Sequence, residues 1–173
     1  MALRVSDDGT IDGLVARVAA ALTALGATLA TAESCTGGLV AAACTARAGS
    51  SAWLERGVVT YSNAAKSELL DVEPGLIARH GAVSAEVARA MAGGMLARSP
   101  ASFAVAVTGI AGPDGGTPGK PVGTVWIATA ARGGDAEATL LNASGDRAAV
   151  RERSVARALE LVLARIEATP IPR

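Results

Sequence analysis

One histidine, two cysteines and four aromatic side chains (two Trp, one Tyr, one Phe) are all that 173 residues provide of the groups that most often carry chemistry or stacking. With His80 alone, a Ser-His-Asp arrangement has one possible histidine, so a nucleophile here calls for lysine or tyrosine as its base. Cys35 and Cys44 have neither the number nor the spacing of a disulfide framework or a zinc site. No metal and no cofactor is expected. Charge of one sign is lacking too: 16 Lys and Arg stand against 16 Asp and Glu. Without a basic block or an aromatic cluster, nucleic acid is not an expected partner. No apolar run reaches about 18 residues, and "MALRVSDDGT" leads into an amphipathic stretch rather than a short apolar core with a cleavage site. No membrane partner is expected, and the cytoplasm is the expected location.

What is present is apolar bulk, 50% of the chain. A chain of this length buries about 70% of the surface its unfolded form exposes, which suits one domain over residues 1–173. Ile11, Leu14, Val15, Val18, Leu22 and Leu25 share a helical face that Gly26 ends. "ATLATA" reads as a strand, "LVAAACTA" as a helix, and "RGVVTYS" as a strand ending near Ser62 or Asn63, either of which caps a helix containing "AAKSELL". Ser84 opens a helix lined by Val87, Met91 and Met95; "SFAVAVTG" reads as a strand covered on both faces. A glycine and proline loop at 109–121 leads to strands in "VGTVWIATAA" and "EATLLNA". Asp146 then opens a last helix with its stripe at Val155, Leu159, Val162 and Ile166. The first residues and "TPIPR" read as frayed ends. Alternating strands and helices predict an α/β fold, a three-layer α/β/α sandwich with a mostly parallel or mixed sheet. Long helices in an alanine-rich chain suit a homo-oligomer.

Sites in such sheets gather at the carboxyl ends of strands. Three segments fall there: "ESCTGG", "TYSNAAK" and "TGIAGPDGG". In the first, Ser34 either caps the next helix, as Thr36 also could, or attacks a carbonyl whose oxygen is held by that helix's N-H groups. Gly37 and Gly38 leave the backbone open to close approach. In the second, a cap at Ser62 or Asn63 puts Lys66 in the first helical turn, where the helix dipole favours a neutral amine able to take a serine proton. Tyr61, at the strand end, is placed to relay or orient that proton; the alternative for both is an exposed lysine and a packed ring. In the third, Thr108 precedes a loop that is either an anion nest or plain solvated chain. Cys35 is expected to be buried, and His80 to end a helix.

Taken together, "TAESCTGG", "SSAWLERGVVTYSNAAK", "HGAVS", "VTGIAGPDGG", "KPVGTVW" and "SGDR" resemble the CinA carboxy-terminal domain family, from about residue 10 to about residue 165. The resemblance implies an α/β/α fold and hydrolysis of the carboxamide of nicotinamide mononucleotide, giving nicotinate mononucleotide and ammonia; the partner is then a small-molecule nucleotide. It implies Ser34 as nucleophile with Lys66 and Tyr61 handling protons. Glu33, Thr36, Gly37, Gly38, Thr108, Gly109, Ala111 and Gly112 are the substrate-binding residues it implies. Two departures stand out: Ala143 replaces an aromatic residue found before "SGDR" in many members, and longer members carry an amino-terminal domain this sequence does not include. The alternative function is a nucleotide-binding module without turnover.

Overall fold

The computed structural model describes residues 9–170; the frayed ends expected from sequence lie, but for Thr169 and Pro170, outside the described residues. In chain order come α1 (Ile11–Leu25), β1 (Leu29–Glu33), α2 (Leu39–Ala46), a 3-10 turn (Ser50–Ala52), β2 (Leu54–Val59) and α3 (Asn63–Leu70). They are followed by α4 (Pro74–His80), α5 (Ala85–Ala97), β3 (Phe103–Gly109), β4 (Thr124–Ala131), β5 (Glu137–Asn142) and α6 (Arg147–Ala168). The strands form one mixed sheet in the order β2-β1-β3-β4-β5. β1 runs parallel to β2 and β3, and β4 is antiparallel to β3 and β5.

Alternation along the strands decides which helices cover which face. Leu29, Phe103, Val105, Val107, Val125 and Ile127 turn to one side, where α1, α2 and α6 supply Leu14, Val18, Leu22, Val40, Leu159 and Val162. The opposite face is almost all alanine: Ala30, Ala32, Ala104, Ala106, Ala128 and Ala130, against Val87, Met91 and Met95 of α5. Small residues let α5 lie close to the sheet, and the longer methionines fill what remains. α3 and α4 add Leu70 and Ile77 to the same face. The sheet is thus the middle layer of three.

Helix ends follow local chemistry. Thr10, Ser62, Ser84 and Asp146 each accept a backbone N-H in the first turn of α1, α3, α5 and α6. Gly26 ends α1 in the left-handed conformation, φ 59°. The stripe on α6 is buried throughout, and each such Leu, Val or Ile contributes about 1.5–3 kcal/mol by leaving water. Two details differ from the sequence reading. α4 begins at Pro74, a start that the sequence reading does not give although it expects a helix to end at His80, and β2 begins earlier and ends at Val59, leaving Thr60 and Tyr61 beyond the strand.

Candidate active site

β1, β2 and β3 are parallel neighbours, so the chain leaving Glu33, Val59 and Gly109 emerges at one end of the sheet. A cavity of about 230 Å³ opens there, lined by residues that include Ser34, Cys35, Tyr61, Lys66, Thr108 and Arg147. Asn63, Ala82, Val83, Gly109 and Ala111 complete its wall. A larger apolar groove of about 480 Å³ between α3 and α4 shares only Asn63 with it and brings no buried ionisable group.

Lys66 is the fourth residue of α3, whose start is fixed by Ser62 accepting the Ala65 N-H at 3.0 Å. It is 1% exposed. Its Nζ donates to Ser34 Oγ at 3.2 Å and to the Thr60 carbonyl at 2.9 Å, and meets no carboxylate among the described residues. Burial holds the Lys66 pKa below its ordinary 10.5 by penalising the charged form; an ionised Cys35 would oppose this. The Cys35 thiol is itself pushed up to about 11, chiefly by burial, so at neutral pH it carries no charge to do so. Burial thus shifts Lys66 in the direction of the neutral amine expected from sequence, a cause that the sequence reading did not name.

Ser34 lies just past β1, its N-H bound to Val107 O at 2.9 Å. The turn that follows differs from expectation. Glu33 does not line the cavity: it is fully buried, and its carboxylate accepts from Gly38 N and Val40 N at 3.0 Å and from Ala41 N at 2.9 Å. The first amides of α2, expected to face a substrate, are thus occupied from within. Thr36 is fully buried and off the cavity wall; Gly37 is exposed and Gly38 half-buried, and neither lines the cavity. Both glycines have left-handed backbones, φ 60° and 97°, which makes the turn itself the reason for them. Gly112 also stands off the wall, its carbonyl accepting from Arg147 Nη1 at 2.8 Å.

Thr108, Gly109 and Ala111 do line the cavity. Thr108 Oγ1 donates to the Ala82 carbonyl at 2.9 Å, which brings the Ala82–Val83 wall against β3. Tyr61 reaches the cavity as well, but its hydroxyl accepts from Arg147 Nη2 at 3.1 Å and meets neither Ser34 nor Lys66. Arg147 closes "SGDR", and the sequence reading assigns it no role. Its position carried a signal: a cation at the first residue of α6 opposes the helix dipole. His80 ends α4, away from the cavity, and no group of three or more His, Cys, Asp or Glu suited to a metal exists among the described residues. No described helix is long and apolar enough to cross a membrane.

Comparison with known proteins gives a consistent result. The profile of the CinA C-terminal domain matches residues 11–166. The chain is 52% identical over 153 residues to the nicotinamide-nucleotide amidohydrolase PncC of Escherichia coli (strain K12), covering 88% of this chain and 93% of that protein. It is 53% identical to a CinA-like protein of Mycolicibacterium vanbaalenii over 91% of this chain, yet spans only 36% of that protein's length. Among solved structures, the competence/damage inducible protein CihA from Agrobacterium tumefaciens is similar with a TM-score of 0.87 and 47% identity, over 95% of this chain and 98% of that one.

Proposed function

The chain belongs to the CinA C-terminal domain family, and we propose that it is an amidohydrolase acting on the carboxamide of nicotinamide mononucleotide, within one domain over residues 1–173. The observation that carries this is the contact between a buried lysine amine and a serine hydroxyl on a cavity wall, 3.2 Å apart. The identity with an amidohydrolase named for that substrate class supports it.

Neutral Lys66 takes the Ser34 proton as Oγ attacks the carboxamide carbon, giving a tetrahedral intermediate with its charge on the former carbonyl oxygen. Lys66, now an ammonium, returns the proton to the departing nitrogen. Ammonia leaves, and nicotinate stays on Ser34 as an ester. Water then attacks that ester, Lys66 again collects the proton and returns it to Ser34 Oγ, and nicotinate mononucleotide is released. Thr108, Gly109 and Ala111 form the wall against the pyridine ring. At about 230 Å³ the cavity falls below the ~300–1,000 Å³ of ordinary small-molecule sites, so it suits the ring while ribose and phosphate extend outward. Arg147 is the exposed cation on that outer wall and takes the phosphate, with Tyr61 beside it. The same reading takes the chain to be a homo-oligomer, whose mass light scattering measures.

Purified protein incubated with nicotinamide mononucleotide is expected to yield equal amounts of nicotinate mononucleotide and ammonia, and Ser34→Ala is expected to abolish both while still binding the nucleotide. Tight binding by the wild type with no ammonia formed would replace the enzyme with a nucleotide-binding module.

A further inference from the structure

The turn carrying Ser34 is held by two charged side chains that do not line the cavity. Glu33 grips the amides of α2 from one side, as described above. From the other, Arg151 of α6 donates Nε to the Cys35 carbonyl at 3.2 Å and Nη2 to the Thr36 carbonyl at 3.0 Å. Arg151 is half-buried and forms no ion pair among the described residues. Its whole hydrogen bonding is directed at the main chain of this turn, across more than a hundred residues of sequence.

An attack by Ser34 needs a donor for the oxygen that becomes negative. Gly38, Val40 and Ala41 N-H groups are taken by Glu33, and the Gly37 N-H by Ser34 O at 3.0 Å. The Thr36 N-H has no acceptor among the described residues, but Thr36 is sealed from the cavity. Among the amides of this turn the Cys35 N-H remains: Cys35 lines the cavity, and this amide meets only its own thiol sulfur, a weak acceptor. That N-H shares a rigid plane with the Ser34 carbonyl and points opposite to it. The Ser34 carbonyl is fixed by Gly37, and the next two carbonyls by Arg151, so both backbone torsions of Cys35 are set.

We infer that Arg151 is a positioning residue for the reaction, holding the residue 34–37 turn so that the Cys35 N-H receives the developing oxyanion. A planar fork with two donors at fixed spacing suits two successive carbonyls, and a lysine cannot reproduce it. Gly37 fits the same device: a Cβ there would come within 3.3 Å of Arg151 Nη2. The inference rests on the serine chemistry proposed above.

The test compares wild type, Arg151→Ala and Arg151→Lys in three measurements: thermal unfolding, steady-state ammonia release, and the rate at which a fluorophosphonate labels Ser34, read by mass spectrometry. Both variants are expected to fold, to keep KM for nicotinamide mononucleotide, and to lose about 10- to 100-fold in kcat, somewhat less than the ~10²–10³ that removal of an oxyanion donor costs. Labelling is expected to slow by the same factor, with millimolar guanidinium restoring Arg151→Ala but not Arg151→Lys. Unchanged kcat and labelling in folded variants overturn the inference, as does a loss confined to KM. If Arg151→Ala fails to fold, Arg151→Lys decides alone. A wild type that is labelled at Ser34 yet releases no ammonia sinks the substrate assignment while the labelling ratio still judges Arg151. A wild type that is neither labelled nor active sinks both.

Discussion

The two halves of the cavity wall are built in opposite ways. On the inner half Ser34, Lys66 and Thr108 are 9%, 1% and 1% exposed, and each side chain is tied to a neighbour across the cavity or its wall. On the outer half Tyr61 is 60% exposed, Asn63 and Arg147 are exposed, and the Tyr61–Arg147 bond lies in water. Burial on the inner side fixes geometry and lowers the pKa of an amine, shifting it towards the uncharged form that proton transfer requires. Exposure on the outer side leaves a permanent cation free to meet a hydrated anion without the cost of desolvating it first. Inner residues should therefore set kcat, and outer ones KM.

The largest effects should follow removal of inner groups. Lys66→Met is expected to lower kcat by about 10²–10⁴-fold, the usual share of a general acid-base, and Ser34→Ala by at least as much, both with KM little changed. Steady-state kinetics decide this, and a variant that raises KM alone would dissolve the distinction between the halves. A pH profile sharpens it. Because burial holds Lys66 below 10.5, wild-type kcat/KM should rise with pH through a limb lying below that value. A limb at the ordinary lysine value would mean that Lys66 is not the base. Stability should respond with a definite sign. Between the folded and unfolded pKa values the unfolded chain binds more protons, so stability increases with pH there. The burial penalty is full below the folded value and vanishes by about 10.5. The Tm of Lys66→Met relative to wild type should thus be most favourable at low pH and decline as pH approaches 10.5, whatever constant offset the lost hydrogen bonds add.

Legibility in the sequence divides along a different line, between local and distant causes. The α2 segment, the Ser62, Ser84 and Asp146 caps and the α6 stripe are all read from neighbours in the chain, and each stands where its pattern puts it. Of α4 only the end at His80 is read from sequence; its start is not, because seven residues carry no sustained period and Pro74 is the sole local sign there. Ser34 and Lys66 were legible as a pair, but the cause of the neutral amine was not: the dipole is a local property, whereas burial depends on how α3 packs. Glu33 stands among the substrate-binding residues that the family resemblance implies, and the structure turns it inward instead. Its targets lie five to eight residues on, at the N-cap and in the first turn of α2, and no spacing rule marks a carboxylate that grips a helix start from the preceding strand. The contacts of Arg147 with Tyr61 and of Arg151 with the Ser34 turn join positions 86 and more than 100 residues apart, which only the sheet order brings together.

Outer-half variants should be milder and should act on KM. Arg147→Ala removes the one exposed cation among the cavity-lining residues and is expected to raise KM about 10- to 100-fold, the range of a charge-assisted hydrogen bond of about 1.5–3 kcal/mol. Added salt should weaken wild-type binding in the same direction, since an exposed ion contact is screened. A nucleoside lacking the phosphate should lose nothing further in this variant.

The smallest effect, Tyr61→Phe, tests the boundary itself. The resemblance to the family places Tyr61 in proton handling, whereas the structure ties its hydroxyl to Arg147 at 3.1 Å and leaves Lys66 and Ser34 to each other. If the hydroxyl only steadies the guanidinium, its loss removes one solvated hydrogen bond of about 0.5–1 kcal/mol and raises KM roughly two- to fivefold with kcat intact. The ring, still present, continues to line the cavity. A drop in kcat of a hundredfold, accompanied by a shift in the pH limb assigned to Lys66, would instead place the phenol in the proton path. That outcome requires the ring to swing inward when substrate binds, and the inner and outer halves would then be one machine. The 60% exposure of Tyr61 favours the milder result, because a proton relay in open water competes with the solvent it is meant to exclude.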